Sequence, residues 1–184
     1  LATSSADAFE TPMGDVPVDR AALSTLVDLP VVQIHDEAHA PEHGLEVHLP
    51  FLCAVLGAAE PPGTENPFAF VPLLFGQVDD MQAAEVLDRL WGGAETLIVI
   101  SSDLSHYLDY ETATRLDRET AGAIVDGRAK ALGPRRACGH VAIQALMRIA
   151  RQRGLSAECV DLRNSGDTAG PRNEVVGYGA FIFT

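Results

Sequence analysis

The sequence predicts an α/β protein with a mainly parallel or mixed central sheet and helices on both faces. Short continuous apolar runs, of which residues 96–100 (TLIVI) are the clearest, read as strands buried on both sides, because a half-exposed strand alternates apolar with polar. Stripes of helical period fall between these runs, and alternating strands and helices imply crossovers that cover both faces of a sheet. Hydrophobic residues make up 47% and charged residues 21%, a balance that buries a core rather than leaving a disordered coil. At 184 residues the chain reads as a single domain over residues 1–184.

Taken in order, residues 1–18 carry Pro12, Gly14 and Pro17 and read as an irregular lead or extended arm. Residues 19–27 form a short helix begun by Asp19 and ended by Pro30, and residues 31–34 a short strand. Leu45, Leu49, Leu52, Val55 and Leu56 fit one helix face, in which Pro50 makes a kink or marks the first turn, and Gly57 with the following PPG closes it. A buried strand over 68–74 precedes a helix opened by Gly76 and Asp79, running through Ala83, Val86, Leu87, Leu90 and Trp91 to Gly92 and Gly93. After the central strand, residues 112–125 read as a surface helix. Gly133 and Pro134 then break the chain. Val141, Ala142, Ala145, Leu146, Ile149 and Ala150 mark a buried helix face stopped by Gly154, and strands over 157–162 and 175–183 flank a loop, RNSGDTAGPRN.

A formal net charge of −13 argues against nucleic acid or an anionic membrane as partner, since Arg135 and Arg136 are the one adjacent basic pair. No apolar run approaches the roughly 18 residues of a membrane span. Cys53, Cys138 and Cys159 are too few and too uneven for a disulfide framework, so a reduced, cytoplasmic protein is expected. With no initiator Met, the chain is expected to begin inside a larger protein.

The central strand ends on SSDLSH, and ligands of open α/β sheets sit at that carboxyl edge. Asp103 and His106, three apart, meet on one side of a helical turn, where the carboxylate fixes the imidazole's tautomer for general acid or base work. The alternative is that Ser101, Ser102 and Asp103 merely cap the next helix. Cys138 precedes Gly139 at a helix start, with Arg135 and Arg136 upstream, a setting that favours thiolate for attack or metal binding; the alternative is a small buried residue at a helix entry.

Four of the six histidines fall in HDEAHAPEHGLEVH. His35, His39 and His43 are four apart, a spacing metal sites use, but Pro41 breaks a regular helix through all three. His43, Glu46 and His48 line a cleft or simply open a well-capped helix. Asn164, Ser165, Gly166 and Asp167 form a tight turn or line the same cleft.

In order, ADAFETPMGDVPVD, EHGLEVHLPF, SSDLSHY, ACGH, NSGD and VVGYGAFIF resemble the Memo family, whose prokaryotic branch is known as AmmeMemoRadiSam system protein B, from about residue 6 to the end. The resemblance implies an α/β fold of the class III extradiol dioxygenase (LigB-like) type. It also implies that His106 acts as acid or base and that Cys138 is a ligand of iron or copper. The resemblance places the family's two histidine ligands in PHAGY and GPSH segments that would precede Leu1, and neither string occurs here; the expectation is that the N-terminal part of the family domain, with two thirds of the ligand set, lies outside this sequence, an upstream piece making the site whole and His43 and His48 being the substitutes otherwise. The implied function is metal-dependent redox chemistry on a small molecule. Rival readings are a peptide- or protein-binding module using the same cleft, and a thiol hydrolase using Cys138 and His106. Functional association with AMMECR1-like and radical SAM proteins is implied by the resemblance alone.

Overall fold

A computed structural model describes residues 1–57 and 68–184; the PPG expected to follow the helix after Leu45 lies outside the described residues. The architecture is mixed α/β. It forms two compact units, Leu1–Val78 with Arg89–Thr96, and Asp79–Asp88 with Leu97–Thr184. No helix among the described residues is long and apolar enough to cross a membrane.

In the first unit the expected irregular lead contains real pairing. Strand β1 (Ala2–Thr3) runs parallel to β4 (Gln33–Ile34), and β2 (Ala8–Phe9) pairs antiparallel with β3 (Val16–Pro17). The β2–β3 turn closes through the Gly14 amide on the Thr11 carbonyl (3.0 Å), with Gly14 at φ +111°, a conformation that favours glycine. Between β3 and β4, helix α1 (Arg20–Ser24) starts as expected, with Asp19 accepting the Ala22 amide at 2.8 Å. Two helices follow β4, α2 (Asp36–His39) and α3 (Gly44–Leu56), so the chain breaks around Pro41 and no helix aligns His35, His39 and His43. Asp36 ties α2 to the lead by accepting from Ser4 Oγ, the Ser5 amide and Ser5 Oγ at 2.8, 2.8 and 2.6 Å.

Pro50 lies inside α3, yet only Leu49 and Cys53 on that helix are buried, against Val16, Phe9 and Phe70. Val55 and Leu56 are exposed, which narrows the apolar face read from the spacing to Leu49 and Leu52, the side of α3 with a packing partner in this unit. Residues 68–74 are not a strand. They touch the lead through two single bridges, Phe70 with Val18 and Leu74 with Ala2.

The second unit begins with α4 (Asp80–Arg89), capped by Asp79, whose Oδ1 accepts the Gln82 amide at 2.8 Å. Strand β5 (His106–Leu108), helix α5 (Tyr110–Val125), helix α6 (His140–Arg153), β6 (Ala157–Asn164) and β7 (Val175–Phe183) follow. The sheet order is β5-β7-β6 and both pairings are antiparallel, so parallel pairing among the named strands is confined to β1 and β4. Gly154 stops α6 in the left-handed region (φ +73°), as the pattern predicts. Met147 of α6 packs with Ala123 and Ile124 of α5 and with Leu132, and the rings of Phe181 and Phe183 cover them. Helix α5 is therefore more than a surface element. Ala113, Asp117, Thr120, Ala121 and Ile124 form a buried stripe along it.

The largest departure is the run at 96–100. It makes no ladder among the described residues, and Leu97 is 65% exposed. A continuous apolar run marks a segment able to be covered on both faces; it does not supply the neighbouring strands, about 4.8 Å away, that do the covering. Burial begins only at Leu104 and Ser105, where the chain turns inward.

Two outcomes follow for urea unfolding. Leu104→Ala, at 2% exposure, costs about 2–5 kcal/mol, whereas Leu97→Ala stays within about 0.5 kcal/mol of the parent. Equal losses would mean that residues 96–100 are packed after all. Separately, the bonds from Ser5 and Ser4 hold the Asp36 carboxyl down at about 2, below its ordinary 3.8. A depressed carboxylate adds stability above its unfolded value and loses it as pH falls through the folded one. The gap in melting temperature between the parent and Asp36→Asn is thus present at neutral pH and closes between about pH 4 and 2.

Candidate functional site

Asp103 is the centre of a cluster in the second unit. Its backbone amide points at Cys138 Sγ (3.2 Å), its carbonyl accepts the Cys138 amide (3.2 Å), and its Oδ2 lies 3.5 Å from His106 Nε2. One residue therefore joins the thiol to the imidazole. Ser102 reinforces the joint: its Oγ accepts the Gly139 amide at 2.9 Å, donates to the Asp103 carbonyl at 2.8 Å and lies 3.6 Å from the sulfur.

The ACGH string is shaped for this contact. A Cβ at Gly139 would meet Ser102 Cβ at 2.8 Å and the Ser101 carbonyl oxygen at 2.9 Å, so only glycine lets the start of α6 approach the SSD turn so closely. Cys138 is exposed, one residue before the N-cap of α6. Arg136 does not serve the thiol as expected. Its guanidinium pairs with Glu119 at 3.1 Å and donates to Thr120 Oγ1 at 3.2 Å, both on α5.

His106 opens β5, opposite Val176, and the register shifts immediately after it. Tyr107 takes up that shift at φ +56°, the one non-glycine residue with positive φ among those described, its ring centroid 5.9 Å from that of His106. Such backbone persists where its surroundings over-determine it, and it clusters near working side chains.

Beneath the turn lies a residue that the sequence reading missed. Asp117 of α5, 2% exposed, accepts the Ser105 amide at 3.0 Å and Ser105 Oγ at 3.1 Å. Burial pushes its carboxyl above the usual carboxylate range, while the two Ser105 bonds and the nearby His106 act against that rise. A signal was present: Asp117 interrupts a stripe of small residues, Ala113, Thr120 and Ala121, at helical spacing.

The other expected residues lie elsewhere. His43 is the N-cap residue of α3 without a side-chain cap bond; Glu46 sits in that helix's first turn and His48 in its second, all in the first unit. His39 rests edge-on against Phe9 at 6.0 Å. Residues 164–167 form the tight turn, a single 3-10 turn with a reciprocal cap between Asn164 and Asp167, and Asp167 Oδ1 accepts the Tyr110 hydroxyl at 2.5 Å.

Among the described residues no group of three or more His, Cys, Asp or Glu could hold a metal ion. The Cys138 sulfur suits copper or iron, but one donor is not a site, so the residues present do not fit a complete iron or copper centre. The groups that the described residues bring together are an imidazole at His106, whose Nε2 faces Asp103, and an exposed thiol at Cys138.

An α/β scaffold that presses a thiol, a carboxylate and an imidazole onto one turn defines the class. The Memo family pattern, described as "Memo-like protein", matches residues 1–182, and the chain belongs to that family. It is 32% identical over 191 residues to a MEMO1 family protein of Archaeoglobus fulgidus, covering 97% of this chain and 69% of that protein. Identity is 31% to a MEMO1 family protein of Thermoplasma volcanium (95% and 65%) and 33% to one of Methanococcoides burtonii (97% and 68%). The chain thus spans about two thirds of the length of these curated relatives.

Alkylation at neutral pH should label Cys138 first, because it is exposed. Cys159, whose thiol burial pushes up, follows, and buried Cys53 comes last. Equal rates at all three would remove any special reactivity from Cys138.

Proposed function

We propose that the Asp103–His106–Cys138 cluster is a small-molecule site on an α/β scaffold of the extradiol dioxygenase type, with His106 as general acid or base. The observation that supports it is the double contact of Asp103, its amide at 3.2 Å from the thiol and its carboxylate at 3.5 Å from the imidazole, in a chain of the Memo family. A carboxylate beside an imidazole suits proton transfer, and exposure at the turn leaves room for a substrate. Cys138 offers the soft donor that iron or copper takes in a redox pocket. The further donors that such a pocket needs are proposed to lie in the third of the family's length that this chain does not span.

A second reading, a peptide- or protein-binding module without turnover, draws support from the exposed Tyr107 ring beside His106, an aromatic surface on which a peptide can pack. Titration of copper(I) and iron(II) against a competing chelator, with oxygen uptake followed in parallel, tests the first. Cys138→Ser should weaken metal binding about 10–100-fold, while His106→Ala should leave it nearly unchanged and abolish any oxygen consumption. Identical affinities for the parent and Cys138→Ser would sink the ligand role. Metal binding without oxygen uptake under any condition would leave the binding module as the better account.

A further inference from the structure

A carboxylate inside a protein is costly unless its bonds are complete, and Asp117 spends both of its oxygens on one residue, Ser105, which is itself fully buried. The peptide between Leu104 and His106 is held from the other side as well. Leu104 donates its amide to the Gly177 carbonyl and the Gly177 amide donates to the Ser105 carbonyl, each at 2.8 Å. Gly177 can approach so closely because it lacks a side chain: a Cβ there would fall 2.0 Å from Asp117 Oδ2. Every polar group of Ser105 is thus satisfied by α5 or β7, immediately before the left-handed backbone at Tyr107 and between the two residues proposed to do chemistry.

We propose that Asp117 is a positioning residue of this site: through Ser105 it fixes the backbone that aims Asp103 and His106. This rests on the reading of His106 as acid or base, but its test needs neither metal nor turnover, so the two can fail separately. Asparagine can still accept the Ser105 amide through its oxygen and donate to Ser105 Oγ through its nitrogen, so Asp117→Asn chiefly removes the negative charge. Asp103 stands at the His106 ring nitrogen, and His106 is near enough to act on the Asp117 carboxyl.

The test is NMR titration of the imidazole Cε1–H of His106 in the whole chain. Asp117→Asn should lower the midpoint of His106 by about 0.5 unit or more, because a negative neighbour that favours imidazolium is gone. Asp103→Asn provides the comparison on the exposed side. A folded Asp117→Asn protein with the parental midpoint would overturn the proposal. Should Asp117→Asn fail to fold, the Asp103→Asn protein decides: an acid-side inflection of the His106 signal that persists there reports the Asp117 carboxyl and supports the proposal, and its disappearance overturns it.

Discussion

The site depends on one buried peptide. Ser105 is fixed by the Asp117 carboxylate on one side and by Gly177 on the other, and Asp103 and His106 lie just to either side of that clamp. Without it, Asp103 would be held only by its contacts with Cys138 and Ser102, and His106 only by the edge of β5. An exposed ion pair is worth about 1 kcal/mol at most, too little to hold two side chains in place. A buried carboxylate with both donors in place leaves the turn one low-energy arrangement.

Glycine does similar work at two places. At 139 it lets the start of α6 press against the SSD turn, which brings the Cys138 sulfur to the Asp103 amide; at 177 it lets β7 lie over Asp117. In both cases a missing Cβ decides whether a polar contact is possible at all. The short strings ACGH and VVGYG are thus contact surfaces as much as carriers of functional groups.

Membership of the Memo family and the exposure of residues 96–100 are both properties of a chain that spans about two thirds of its curated relatives. An apolar segment of that kind in water is unfavourable by roughly 25 cal/mol for each Å² left uncovered. The cluster at Asp103 begins just after this run, at the point where the chain first becomes buried.

Much of this was legible in the residues. Local rules identified the caps at Asp19 and Asp79, the stop at Gly154 and the break at Pro41, because each depends on chemistry within a few positions along the chain; Asp103 does meet His106, but at the entry to β5 and not on the helical turn expected. That the Cys138 sulfur meets the Asp103 amide could not be read from spacing, because the two residues are 35 positions apart. Strand direction, the exposure of Leu97, the turning of Arg136 toward Glu119 and the burial of Asp117 were not readable. Each is set by a partner far away in sequence: apolar periodicity states which side of an element can be covered, and only the packed chain decides what covers it and which charges it encloses.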